Sequence, residues 1–314
     1  MEYADFGKTG AKVSRISFGC WEMGGSQWEL TSDEINTKAV YKALDEGITS
    51  FDTAEAYGNG HSEEVLGKAL EGKRQGLFLA TKVAKNNLRP ADLRNSVIGS
   101  LKRLRTDYVD LYYIHWPNPE IPLEETMEEM VKVQKEGLIR HIGVSNFNVP
   151  LLKTAMKIGR VEALQNEYSL LHRGIENEIL PFCIENSISL MSYSSIAKGI
   201  LTGIFHFGGV KLKESDFRYT RRLFLPAHLK AETELLEAMK KIADRLRIAC
   251  GQLALAWLFA KKGLTSALVG TQSEKHFLEN IRAVGISLSK EDISVLDAVS
   301  ARVVAAIDAN PEGK

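Results

Sequence analysis

Cysteine is scarce in this chain of 314 residues: Cys20, Cys183 and Cys250 stand far apart and form no C-x-x-C pair. That spacing argues against a disulfide framework or a zinc site and fits a reducing compartment. Excess charge is missing too, since 40 Lys and Arg balance 40 Asp and Glu, so nothing global draws the chain to nucleic acid or to an anionic membrane. No apolar run approaches the roughly 18–20 residues that span a bilayer. The opening MEYADFGKTG lacks the basic and apolar regions of a secretory signal. Low-complexity tracts, Pro/Gly-rich linkers and a G-x-G-x-x-G fingerprint after a strand are also absent. The expectation is one cytoplasmic domain over residues 1–314 whose function resides in a local site and whose oligomeric state the sequence leaves open.

What is present is alternation. Short β-branched or apolar runs over Ser14–Gly19, Ile48–Asp52, Leu77–Val83, Tyr108–His115, Ile139–Ser145, Val161–Gln165, Ser189–Tyr193 and Ser266–Val269 read as eight strands. Helical spacing fills the intervals, as in Leu93, Val97, Leu101 and Leu104, or Leu235, Leu236, Met239, Ile242, Ala243 and Leu246. Thr31 with Glu34, and Ser289 with Asp292, have the spacing of helix starts. Eight such units predict an α/β protein, a (β/α)8 TIM barrel. Residues 2–13 read as an N-terminal β-hairpin at the bottom of the barrel, turning at Gly7-Lys8-Thr9-Gly10. Residues 204–226 form a connection too long for an ordinary loop, and the tail from Asp308 is expected to fray.

Active sites of such barrels lie where the strands end. The second strand ends in Asp52 with Tyr57 in its loop, the third carries Lys82, and the fourth leads to His115. The fifth ends in Ser145-Asn146, the sixth at Gln165-Asn166 and the seventh in Tyr193-Ser194-Ser195. Each alone also fits a turn, a cap or a core residue. Together a carboxylate, a phenol, an ammonium and an imidazole around one mouth predict acid–base work. A phenol with a pKa near 10 is a weak donor at neutral pH. An ammonium about 4 Å away, at an effective dielectric near 20, favours the phenolate by up to roughly 4 kcal/mol before desolvation takes some back. Lys82 would tune Tyr57, Asp52 would hold Lys82, and His115 would polarise a carbonyl oxygen through its ring N–H. These groups deliver a proton but supply no hydride, so a reduction needs a cofactor.

The blocks D-T-A-E-A-Y-G-N-G (52–60), T-K-V (81–83), I-H-W-P (114–117), G-V-S-N-F (143–147), Q-N-E-Y-S (165–169) and S-Y-S-S-I-A-K-G-I-L-T-G (192–203) resemble those of the aldo-keto reductases, bacterial NADP-dependent subgroup. The resemblance runs from about Phe6 to Asn280. It implies a catalytic tetrad of Asp52, Tyr57, Lys82 and His115, with Tyr57 as general acid in reduction of aldehydes or ketones by NADPH, NADH being possible. It implies that Ser145, Asn146 and Gln165 hold the nicotinamide carboxamide, that Tyr193 stacks on the ring, and that Gly19, Cys20, Trp21 and Asp52 approach the cofactor. Ser194, Ser195, Ala197, Gly199, Leu201 and Arg218 would continue that surface. Gly270, Thr271, Gln272, His276, Glu279 and Asn280 would grip its adenosine end. Trp21, Tyr57, His115 and Trp116 would wall the pocket of a small carbonyl substrate, and no metal is called for. Gln272 stands where relatives often carry arginine for a 2′-phosphate, Ser195 where proline is common, and Cys20 where threonine is frequent. Gln272 weakens the case for NADPH over NADH, with Lys275, His276 and the helix start at Ser273 as compensation. Two other readings use the same residues: a class I aldolase with Lys82 as Schiff-base nucleophile, disfavoured because Asp52 keeps it protonated, and a catalytically weak nucleotide-sensing or partner-binding subunit.

Overall fold

The computed structural model describes residues 1–25, 32–270 and 274–313. The chain divides into two compact units, Met1–Asn166 with Ile175–Tyr193 and Gly263–Phe277, and Glu167–Gly174 with Ser194–Lys262 and Leu278–Lys314.

The first unit holds the strands, apart from the last residue of β8. Strands β1 (Tyr3–Asp5) and β2 (Lys12–Ser14) form the expected antiparallel hairpin. Gly7 makes its turn at φ +54°, where a Cβ would come within 2.8 Å of Ser187 O. Phe6 is fully buried and packs with Val13, Phe78, Leu111, Ala163 and Met191. Phe78 begins its strand, so the hairpin closes the N-terminal end of the barrel, as the sequence predicts.

Strands β3 (Ile16–Gly19), β4 (Ser50–Asp52), β5 (Phe78–Val83), β6 (Val109–Ile114), β7 (Ile139–Ser145), β8 (Ala163–Glu167), β9 (Ser189–Tyr193) and β10 (Leu264–Val269) close into one parallel barrel. All eight expected strands are there. Six begin one or two residues away from where the apolar pattern implied, and only the fifth and seventh start as expected. Ser14 belongs to the hairpin, with Arg15 between the elements donating to Leu264 O and Thr265 O. The sixth barrel strand starts two residues late, because Glu162 uses its carboxylate to accept from Ile142 N at 2.9 Å. Ser17 Oγ lies 2.8 Å from both Ser50 Oγ and Ser266 Oγ, a polar seam between three buried strands.

Helices α1 (Asp33–Asp45), α2 (His61–Ala69), α3 (Pro90–Leu104), α4 (Leu123–Lys135), α5 (Val149–Met156) and α6 (Ile179–Asn186) connect these strands. In α3, Pro90 sits at the first turn, where its missing N–H costs nothing, and Leu93, Val97 and Leu104 are buried. Ser32 caps α1 by accepting from Ile35 N; the expected Thr31 lies outside the described residues.

The second unit carries α7 (Pro226–Leu246), α8 (Cys250–Phe259) and α10 (Lys290–Ala309), while α9 (Glu274–Ile281) straddles the division. The predicted stripe Leu235, Leu236, Met239, Ile242 and Ala243 is buried in α7, and Ser289 caps α10 through Asp292 N. Between Ile204 and Pro226 there are turns and one short 3₁₀ segment, Arg222–Phe224, in place of regular structure. The tail is tied down where fraying was expected. Asp308 and Ala309 continue α10, and His228 faces Arg222 O and Asn310 O at 2.5 and 2.6 Å. Hydrogen bonds from one buried ring to two backbone carbonyls restrain these residues.

Candidate active site

Register assembles the first group of side chains. Gly19 of β3 pairs with Asp52 of β4, and Lys82 of β5 with Tyr113 of β6, so residues at the C-terminal ends share one rim. Lys82 is fully buried. Its Nζ donates to Asp52 Oδ1 at 2.5 Å, to Thr53 O at 2.7 Å and to Tyr57 Oη at 3.3 Å. Gln165 Nε2 donates to the other Asp52 oxygen at 2.8 Å. All three ammonium protons and both carboxylate oxygens are therefore used. Burial works against the Lys82 charge, but Asp52 and Tyr57 outweigh it and hold its pKa above the ordinary lysine value.

Tyr57 stands on a braced loop. Gly24 and Gly58 meet back to back, so that a Cβ on Gly58 would lie 2.2 Å from Gly24 O. Ser62 Oγ joins Thr53 Oγ1 at 2.9 Å and donates to Cys20 O at 2.8 Å. Glu55 accepts from Ala84 N and from Asn87 Nδ2 at 2.7 and 3.0 Å, fastening the loop after β4 to the loop after β5. The Tyr57 and His115 rings meet edge-on with centroids 5.6 Å apart. One electrostatic expectation needs correcting. Burial raises the Tyr57 pKa above that of a free phenol, and the opposing pull of Lys82 is the smaller effect. Burial, assisted by Lys82, pushes His115 down to about 3, so its ring is neutral and one nitrogen carries a proton to donate. Trp116 beside it is 47% exposed.

A second group adjoins the first through Gln165. Ser145 pairs with Gln165 in the sheet, and its Oγ donates to Gln165 O at 2.8 Å. Asn146 takes a left-handed φ of +63°, which asparagine tolerates better than most residues. There its Nδ2 donates to His115 O at 3.1 Å and to Ser145 Oγ at 3.0 Å, and its Oδ1 accepts from Tyr193 Oη at 2.7 Å. The cap of α5 is Asn148, which accepts from Leu151 N, so Ser145 and Asn146 are free of capping duty. These amides and hydroxyl form a donor and acceptor set of the kind that suits a flat carboxamide.

Gly19, Cys20, Trp21, Gly270 and His276 also belong to the first unit. Cys20 is buried, and His276 is exposed on α9. Thr271, Gln272 and Ser273 lie outside the described residues. The second unit holds the remaining candidates. Ser194 has φ +51°, Ser195, Ala197 and Leu201 are buried, and Gly199 has φ +101°. Lys198 Nζ reaches Glu167 Oε1 at 3.2 Å and Ser194 Oγ at 3.0 Å. Arg218 is forked onto Asp216, at 2.9 and 2.7 Å, and donates to Lys198 O. Asn280 is buried and Glu279 partly so. Among the described residues no cluster of three His, Cys, Asp or Glu side chains could hold a metal ion, and no helix is long and apolar enough to cross a membrane.

Sequence reasoning missed Thr53, whose carbonyl takes a proton of Lys82; a backbone acceptor leaves no mark in the sequence. It also missed Glu22, whose carboxyl rests against Gly270. A lone acid in the apolar stretch F-G-C-W-E-M-G-G was the available signal.

Comparison with known proteins agrees with this architecture. The chain is 36% identical to the aldo-keto reductase YhdN of Bacillus subtilis over 93% of this chain and 91% of that protein. It is 30% identical to the NADH-specific methylglyoxal reductase of Escherichia coli, over 94% and 97% of the respective chains. An aldo/keto reductase from Klebsiella pneumoniae, solved in complex with NADP and acetate, superposes with a TM-score of 0.76 at 31% identity, covering 96% of each chain. The aldo/keto reductase family model matches residues 15–301, and with the barrel and its rim of Asp52, Tyr57, Lys82 and His115 in view, the chain belongs to the aldo/keto reductase family.

Proposed function

We propose that this protein reduces small aldehydes or ketones to alcohols, using NADPH or NADH, with Tyr57 as general acid. The observation that carries the reading is the Lys82 ammonium, which joins a buried carboxylate to a phenol that is only partly buried. A bound nicotinamide dinucleotide supplies the hydride, which no side chain here can. The amide groups of Asn146 and Gln165 and the Ser145 hydroxyl fit its carboxamide by their donor and acceptor chemistry, and the Tyr193 ring offers a flat face.

Burial keeps the Tyr57 phenol protonated across the working range, so it meets a substrate as the acid. As its proton passes to the carbonyl oxygen, charge develops on Oη at 3.3 Å from Lys82, and the ammonium stabilises that charge as it forms. Asp52 keeps Lys82 charged and in place. Neutral His115 offers an N–H to the same carbonyl oxygen, orienting it without competing as an acid. Solvent then returns a proton to Tyr57. The NADP-bound Klebsiella neighbour and the NADH-specific Escherichia coli relative support both dinucleotides as candidates.

The test is oxidation of NADPH and of NADH by the pure protein against a panel of aldehydes and α-dicarbonyls, with Tyr57→Phe alongside. The variant is expected to bind cofactor as the wild type does and to lose about 10² to 10⁴ in turnover. Turnover unchanged in Tyr57→Phe overturns the assignment.

A further inference from the structure

Glu22 opens the 3₁₀ turn Glu22–Gly24 after β3, and its side chain lies across the first unit's rim onto Gly270, directly after β10. The contact is close: a Cβ built on Gly270 would fall 2.0 Å from Glu22 Oε2 and 2.5 Å from Oε1, so the carboxyl covers the face that glycine leaves open. The turn has little room to retreat, because a Cβ on Gly24 would lie 2.7 Å from the Gly58 nitrogen. Glu22 is partly buried. Among the described residues, Cys20 and Tyr57 sense the Glu22 charge, and the cation beside those two, Lys82, is spent on Asp52, Thr53 and Tyr57.

Resting on the reading that Gly270 contacts the dinucleotide, we propose that Glu22 is a gate: its carboxyl covers Gly270 until the anionic dinucleotide arrives and must be neutral while the dinucleotide is bound against it. Two like charges in a partly buried corner repel, and a carboxylate can relieve that repulsion by taking up a proton. Burial already brings Glu22 up to about 7, so this proton uptake falls in the physiological range. Binding is then linked to protonation: below that value Glu22 is already neutral and affinity is full, and above it each binding event must draw a proton from solvent.

The experiment is titration of intrinsic fluorescence, or calorimetry, with NADPH and with NADH at pH 6.5 and 8.0, for the wild type and Glu22→Gln. The wild-type dissociation constant is expected to rise roughly tenfold between these values, as linkage to one such group requires. The isosteric glutamine should bind with little change over the same range. Calorimetry in buffers of different ionisation enthalpy should show proton uptake at pH 8.0 in the wild type alone. Parallel pH dependence in both proteins, which charges elsewhere or the 2′-phosphate of NADPH would produce, overturns the role of Glu22. Failure of the wild type to bind any dinucleotide overturns the cofactor reading itself, and loss of binding in Glu22→Gln alone overturns the role given to Glu22.

Discussion

Lys82 in the first unit and Glu232 in the second are both fully shielded from solvent, and they meet opposite surroundings. Lys82 spends every proton, and its partner Asp52 has both oxygens engaged. Glu232 has no hydrogen bond on either oxygen. Its nearest ring nitrogen, His206 Nε2, is 3.6 Å away and already donates to Leu229 O at 2.9 Å, leaving His206 Nδ1 without a partner. Burial pushes Glu232 up to about 9 and lowers His206, so the second pair is neutral where the first is charged. An ion survives burial where its whole valence is met; otherwise it gives up its charge.

The largest effect should come from breaking the charged pair. Lys82→Met leaves Asp52 buried without its cation and is expected to cost about 3–5 kcal/mol in urea unfolding at neutral pH. Carbonyl turnover should fall at least as far as in Tyr57→Phe. Retained stability together with retained turnover would mean that the charges on the rim are incidental.

Glu232→Gln sharpens the other side. An unfolded glutamate titrates near 4.3, whereas folded Glu232 holds its proton to about 9. Between these values the folded state binds a proton that the unfolded state has lost, so wild-type stability falls as pH rises, and below them the effect vanishes. The variant is expected to gain on the wild type by about 4 kcal/mol between pH 5 and pH 8. Thermal unfolding at the two pH values measures this. A gap independent of pH would show that Glu232 is ionised and paired with His206 after all.

The smallest effect belongs to a carboxylate that is already well served. Glu63 is fully buried, accepts from Thr81 Oγ1 at 2.6 Å and pairs with Arg103 Nε at 2.7 Å. Thr81→Val removes one of these partners and should cost about 1–2 kcal/mol by the same unfolding assay. A loss as large as that of Lys82→Met would mean that counting satisfied valences does not predict the cost of buried charge.

Much of this was legible in the linear chain. Short β-branched or apolar runs marked the eight strands, and the three-to-four spacing of a helix marked the α3 and α7 stripes, since that period follows from backbone geometry alone. Asp52, Tyr57, Lys82 and His115 were readable because each lies at or just beyond the end of a strand. Strand limits at Arg15 and Glu162 were not, because in each case a side chain hydrogen-bonds a neighbouring strand and resets where the ladder begins. The anchored tail escaped notice for a similar reason, its partner His228 lying 82 residues upstream of Asn310.

Taken by itself, the order of residues determined the (β/α) alternation, the hairpin and the identities of the groups on the rim, all of which depend on local period and local turn chemistry. Only the tertiary structure decided that burial outweighs Lys82 at the Tyr57 phenol, that Thr53 supplies the ammonium's third acceptor, and that Glu22 covers Gly270. Desolvation and through-space contact depend on what the remainder of the chain packs around a group, and no short stretch of sequence carries that information.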